Sequence, residues 1–349
     1  MKPSKRLIIF LFIAVLGISF TFYGYQMVFT PNVLVDREAR ELIIPDNVTF
    51  KSLQDQLYNG EYVRDIMAFS FLAKLMDYDE NIRPGRYVLQ ANMSNYATIK
   101  LLRSGNQVPV DITFNNVRIL PELAKKITRN LALTPQQFDS AVLTFAATNT
   151  YGFNQQNVMA MFIPNTYEVY YNVSGAQLLE RLHEEYENFW TADRKAKAQQ
   201  IGLTPIEVSI LASIVQAETI KADEAPVIAG LYINRLKKGI PLQADPTLKF
   251  AVGDFSLKRI LNVHKEVESP YNTYRHAGLP PGPINMPEIS SLLAVLEYKP
   301  SNYYYMCARE DFSGYHNFSD NLAEHNRNAA RYQRALTIEQ RKAAQNLNR

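Results

Sequence analysis

The chain has 349 residues, 47% hydrophobic and 20% charged, with a formal charge of +3 at pH 7. This is an ordinary globular composition with ample core and room for two or three domains, and its small, dispersed positive balance excludes a nucleic-acid-binding protein. A single cysteine, Cys307, excludes an intrachain disulfide and any cysteine-built metal site.

In chain order, Lys2, Lys5 and Arg6 precede an uncharged stretch from Leu7 to Thr30 that is long enough to cross a bilayer as a helix. Positive residues stay on the cytoplasmic side, which predicts a single-pass anchor with the rest of the chain outside the cytoplasm. A cleaved signal peptide is the other reading, but the run is longer than an h-region and no small-x-small site follows it. Phe22, Tyr23, Tyr25 and Phe29 fit an aromatic belt at the outer interface.

"ELIIPDNVTFKSLQDQL" then reads as a strand, a turn and an amphipathic helix, "SFLAKLMDY" as a second helix, and "IRPGRYVLQ" as a turn and strand. A short helix ending at Gly105 closes a compact unit over residues 31–107. Residues 108–200 read as a connecting α+β region, with a weaker echo of the first unit and a capping box at Thr134-Pro135-Gln136-Gln137. Over residues 201–349 come a helix opened by Thr204-Pro205-Ile206-Glu207 and running to Glu218 or Thr219, and a helix "EAPVIAGLYINRLKKG". A proline-rich stretch, a further helix, the strand "NYYYMCA" and a charged C-terminal helix follow. The fold class is α+β rather than regular βαβ alternation.

Between Lys197 and Lys221 only Glu207 and Glu218 are charged. Glu207 has a structural job as the third residue of a capping box. Glu218 stands at the opposite helix end, where the dipole disfavours a carboxylate, on the stripe of Leu211, Ile214 and Val215. Desolvation and the helix end both predict a raised pKa, as a general acid requires. The other reading of the pattern is a helix-end glutamate that reaches water or pairs with Lys221. A two-carboxylate glycosidase needs a second acid. Asp245 reads as a turn cap, and Asp223 and Glu224 read as solvated.

"SPYNTYRHAGLPPGPINMPE" crowds Tyr271, Asn272, Thr273, Tyr274, Arg275 and His276 into a proline-stiffened segment suited to a glycan, or equally to a loop whose tyrosines fold onto the core. The five histidines show no metal-ligand spacing, so no metal or cofactor is expected, and His316 and His325 fit structural roles. Cys307 reads as a buried structural thiol.

"ILASIVQAET", "YINRLKKGIPLQADPTLKFAVG", "SPYNTYRHAGLPPGPI" and "YYYMCAREDFSGYHNFSDNLAEHNR" together resemble, in order and over most of the chain, the YceG-like, or MltG, endolytic murein transglycosylases. The resemblance implies an inner-membrane anchor, a LysM-like module at 31–107 and a C-terminal catalytic domain on the periplasmic side. It also implies peptidoglycan as substrate, with cleavage that leaves 1,6-anhydro ends, and proximity to peptidoglycan synthases. The family's catalytic glutamate carries over to Glu218, and Gln243, Asp245, Tyr271, Asn272, Thr273, Tyr274 and His316 become the implied cleft wall. Members often carry an acid where this chain has Gln216, so any help from that group is lost here.

Overall fold

The computed structural model describes residues 4–257 and 260–347, with side chains described as far as residue 342. It is a mixed α+β chain in which the strands of the described residues pair only in twos. Contacts divide it into two units. One holds the described residues up to 112 together with 130–133 and 168–174, and the other holds the rest.

The first unit begins with α1, Lys5–Phe29, which has a mean hydropathy of 2.4 and no buried residue. Among the described residues it is the one unbroken helix long and apolar enough to cross a membrane. Next come β1 (Pro31–Val33), β2 (Arg40–Ile44), α2 (Phe50–Asn59), α3 (Ile66–Leu75), β3 (Gly85–Leu89), β4 (Met93–Ser94) and α4 (Asn95–Ser104). β2 and β3 pair antiparallel from Arg40 opposite Leu89 to Ile44 opposite Gly85. The two-residue alternation sends Leu42, Ile44, Tyr87 and Leu89 into a core shared with Leu53 and Phe69. Thr49, Asp65 and Ser94 cap the three short helices, and Gly105 at φ +74° ends the last. The Asp65 cap starts α3 earlier than the segment "SFLAKLMDY" suggests.

A buried amide chain joins the end of α1 to this unit. Asn95 donates to the Met27 carbonyl at 2.8 Å. Asn32 donates to the Asn95 side chain at 2.7 Å and to the Asp65 carbonyl at 2.9 Å, and it accepts from the Asp65 N–H at 2.7 Å.

β5 (Val110–Phe114) pairs with β6 (Asn165–Val169). The second unit contains α5 (Leu120–Ile127), α6 (Pro135–Thr148), α7 (Gly175–Phe189), α8 (Ala192–Ile201), α9 (Pro205–Glu218), α10 (Ala225–Lys237), α11 (Asp245–Val252) and α12 (Ile289–Leu296). The hairpin β7 (Tyr305–Ala308) and β8 (His316–Ser319) precedes α13 (Leu322–Leu347).

Its centre is α9. Both expected capping boxes form, at Thr134 and at Thr204. Every residue of α9 from Val208 to Val215 is buried, because α8, α10, α11 and α12 all pack around it. The two hydroxyls on that stretch are both satisfied: Ser209 donates to the Pro205 carbonyl at 3.2 Å, and Ser213 is held on both sides. It donates to the Ile210 carbonyl at 2.7 Å and accepts from the Ile284 N–H at 3.0 Å.

α10 is pinned by a close approach. A methyl group on Gly230 would lie 2.4 Å from the Lys299 carbonyl oxygen, and Lys299 itself donates to the Pro226 carbonyl at 2.9 Å. Gly230→Ala should therefore destabilise the second unit by about 1–3 kcal/mol, the usual cost of overpacking. Thermal unfolding of the full chain in detergent measures this, and an unchanged transition would show that the Lys299 segment yields freely.

Candidate active site

Glu218 is the last residue of α9, and its carboxyl opens into a cavity of about 270 Å³. Leu211, Ile214 and Val215, the stripe read from the sequence, are fully buried behind it. Tyr232 of α10 donates its hydroxyl to Glu218 Oε1 at 2.6 Å. Burial pushes the Glu218 carboxyl up to about 7. The Tyr232 hydrogen bond opposes that rise, the Asp245 charge adds to it and Lys249 works against it. The carboxyl is thus poised to give up its proton near neutral pH.

Gln243, Asp245, Tyr274 and His316 line the same cavity. Gln243 takes a left-handed backbone conformation, φ +53°, held by its N–H donating to the Thr273 carbonyl at 3.0 Å. Its Oε1 accepts from Arg235 Nη2 at 2.7 Å, which orients the amide so that its NH₂ is the end left to donate. Arg235 is itself buried and lowered in pKa by that burial. It donates to the carbonyls of Pro241 and Tyr304 and has no carboxylate partner among the described residues. Asp245, the first residue of α11, makes no cap bond. It accepts the Tyr274 hydroxyl at 2.6 Å, and burial together with Asp245 pushes that hydroxyl upward.

The other three expected cleft residues are placed differently. Asn272 is fully buried, donating to the carbonyls of Lys265 and Val267 and accepting the Tyr274 N–H at 3.0 Å. Thr273 is buried against Thr247, hydroxyl to hydroxyl at 2.8 Å, and accepts the Ala244 N–H. These two brace the loop that presents Tyr274 and the turn that presents Gln243. Tyr271 packs its ring 4.6 Å from that of Phe250 and is not part of this cavity's lining.

His316 begins β8 and is gripped by Glu224. Its Nδ1 lies 2.8 Å from Glu224 Oε2, and its N–H donates to Oε1 at 2.7 Å. Thr219 donates to the same carboxylate at 3.1 Å. Glu224 is only 4% exposed, which corrects its reading as solvated. It stands just before α10, where the helix dipole favours an anion, and the sequence "EAP" carried that signal.

Tyr232, Arg235, Tyr305 and His325 also line the cavity and were missed as site residues in the sequence. His325 stacks on Tyr305 and is pushed down in pKa by burial. Cys307, expected to be buried, is half-buried in the cavity wall, and burial with Glu310 nearby pushes its thiol upward.

Gln216 has work of its own. Its amide NH₂ donates to Asn285 Oδ1 and the Met286 carbonyl at 3.3 Å each, and its Oε1 accepts the Glu288 N–H at 2.5 Å. A carboxylate there could not make the two donations. Further back in the same loop, a methyl on Gly282 would lie 1.8 Å from the Gln156 carbonyl oxygen, so glycine is required by close approach. Among the described residues no three His, Cys, Asp or Glu side chains group as a metal site.

Fold and cavity define an α+β protein arranged around one carboxyl that titrates near neutral pH. A family model described as YceG-like matches residues 42–331, and the chain belongs to that family. It is 24% identical over 348 residues to the endolytic murein transglycosylase of Streptococcus pneumoniae (strain ATCC BAA-255 / R6), covering 89% of this chain and 62% of that protein. It is 25% identical over 316 residues to the endolytic murein transglycosylase of Bacillus subtilis (strain 168), covering 85% of this chain and 87% of that one. The chain thus spans less than two thirds of the length of the streptococcal relative. A crystal structure of a YceG-like protein from Listeria monocytogenes shares 24% identity and covers 83% of this chain and 98% of that chain, with a TM-score of 0.49.

Two outcomes follow from the Glu218 environment. Tyr232→Phe deletes a hydrogen bond that favours the carboxylate, so carboxyl-detected NMR should place the Glu218 titration above 7, and a downward shift contradicts the assignment. The folded-state pKa of about 7 exceeds the ordinary 4.5, so the native state binds more protons between those values and loses stability as pH rises through them. Glu218→Gln should therefore stabilise the protein at pH 8 by on the order of 3 kcal/mol and by little at pH 4, read from denaturation at both pH values.

Proposed function

We propose that the protein is a membrane-anchored lytic transglycosylase that cuts within nascent peptidoglycan strands and so limits their length. The observation that carries this reading is the Glu218 carboxyl, raised to about 7 in a cavity walled by polar and aromatic side chains. The names of the relatives, endolytic murein transglycosylases, support the reaction class.

In this mechanism Glu218 gives its proton to the oxygen bridging N-acetylmuramic acid C1 and N-acetylglucosamine C4 as the C1–O bond breaks. The resulting carboxylate takes the proton of the muramyl C6 hydroxyl, whose oxygen attacks C1 and closes a 1,6-anhydro ring. Glu218 ends protonated, and no water is consumed. The cavity must stabilise positive charge at C1 while the bond is broken. Asp245 supplies a negative charge there, steadied by Tyr274. The Gln243 NH₂ is a donor for a substrate oxygen, and the Nε2 of His316, whose Nδ1 is engaged by Glu224, is an acceptor for a substrate hydroxyl. Asn272 and Thr273 serve by holding this wall, and Tyr271 stands outside it, packed at a tilt against Phe250.

Residues 31–107 act in this reading as a LysM-like glycan-holding module, 108–200 as the connection and 201–349 as the catalytic core. The helix α1 spans the inner membrane with the remainder on the periplasmic side, beside the synthases that supply nascent strands. One observation favours a second reading, hydrolysis by a muramidase: Asp245 is a second carboxylate in the same cavity, as inversion with water would need.

Purified full-length protein should release strands ending in 1,6-anhydromuramic acid, and reducing muramic acid ends would establish the muramidase instead. Glu218→Gln should lower cleavage at least about a thousandfold while glycan binding persists; strand lengths unaltered by that substitution would identify a binding scaffold. If proton donation limits turnover, the rate should fall as pH rises through about 7.

A further inference from the structure

The helix α3, Ile66–Leu75, is apolar on two faces. Its inner face, Ala68, Phe69, Leu72 and Ala73, belongs to the first unit's core. Its outer face carries Met67, Phe71 and Leu75, which are 78%, 60% and 69% exposed. Their spacing of four puts them on one stripe, and nothing in the described chain covers it. A helix on the surface of a water-soluble unit needs one apolar stripe, so the second has no role in folding.

Its position in the fold says what the second stripe meets. The cap residue of α3, Asp65, is linked through Asn32 and Asn95 to the Met27 carbonyl in the last turn of α1. α3 therefore starts where the apolar N-terminal helix ends. The same place is lined by Phe29, 54% exposed, whose ring lies 6.0 Å from that of Tyr96, itself 41% exposed. Lys74, exposed beside the stripe, has the long apolar stem and cationic head suited to the headgroup layer.

We propose that α3 lies in the interfacial layer of the same membrane that α1 crosses, with Met67, Phe71 and Leu75 seated among the lipids. The occupant is lipid rather than another protein because the stripe continues from an apolar helix already committed to the bilayer. The inference rests on the reading of α1 as a span. The first unit is then held flat against the bilayer surface at two adjoining points instead of hanging from a single stalk.

The test uses the full chain in nanodiscs of phosphatidylethanolamine and phosphatidylglycerol. Spin labels are placed one at a time at Ile18→Cys and Phe71→Cys on a Cys307→Ser background, and their collision rates with oxygen, enriched in lipid, and with a water-soluble nickel chelate are compared. The Phe71 label should favour oxygen over nickel, at a depth shallower than the Ile18 label. A Phe71 label that favours nickel, while the Ile18 label favours oxygen, overturns the proposal and leaves the anchor standing. An Ile18 label open to nickel overturns the span itself. A Phe71 label shielded from both reagents means that a protein or a second copy covers the stripe, and it too overturns the proposal. Met67→Glu with Leu75→Glu, both on the outer face, should shift the Phe71 label toward nickel at least several-fold while α1 stays inserted.

Discussion

Withdrawing one carboxyl from water sets the terms for most of the second unit. Glu218 stands at the foot of a helix whose middle, Val208 to Val215, is buried on all sides, and nothing on that helix can compensate its charge. The compensation comes from elsewhere: a phenol from α10 donates to it, and a lysine on α11 attracts it from a distance. Because the two influences only partly offset desolvation, the group settles between the ordinary acid range and permanent neutrality. A fully satisfied carboxylate would hold no proton to give at pH 7, and a fully apolar setting would make release of the proton too costly. The packing of α9 against α10 is what sets this balance, so the core and the chemistry share one interface.

The walls of the cavity show a second layer of organisation, in which buried polar groups fix exposed ones. Arg235 gives its guanidinium to two carbonyls and one amide, and so decides which end of Gln243 faces the cavity. Glu224 holds the ring and backbone of His316 and the hydroxyl of Thr219, which joins the end of α9, the start of α10 and the hairpin strand. Asn272 and Thr273 do for Tyr274 and Gln243 what Gln216 does for the loop that follows. Arg235, Glu224, Asn272 and Thr273 are each less exposed than the cavity residue they serve, and each has little freedom left to lose when a ligand arrives.

Much of this was legible in the sequence. The helix bounds at both capping boxes, the apolar N-terminal helix and the isolated glutamate all follow from local rules, because each depends on neighbours within a turn or two. The sidedness of the polar loop was not legible. "YNTY" announces hydrogen-bonding capacity, but Asn272 turns to the carbonyls of Lys265 and Val267 in its own irregular loop, which no periodic pattern marks, and Thr273 turns to Ala244 and Thr247, which are distant in the chain. Tyr232 and Arg235 escaped for the same reason, since only the packing of two helices brings them beside Glu218. Glu224 was misread because charged neighbours suggested solvent, whereas its place just before a helix with proline in its first turn puts an anion at the favourable end of the helix dipole. Gln216 looked like the loss of an acid and proved to be a bifunctional latch that only an amide can make.

The half-buried thiol in the cavity wall has a consequence for chemical control of the protein. Cys307 is held above its ordinary pKa, so little thiolate forms at neutral pH and indiscriminate oxidants or alkylating agents meet a weak nucleophile. An electrophile delivered on a scaffold shaped for the same cavity would face that thiol at high local concentration. Selectivity for such a covalent ligand would then come from the fit of the scaffold and not from the reactivity of the sulfur, which is the favourable order for an inhibitor that must pass other thiols untouched.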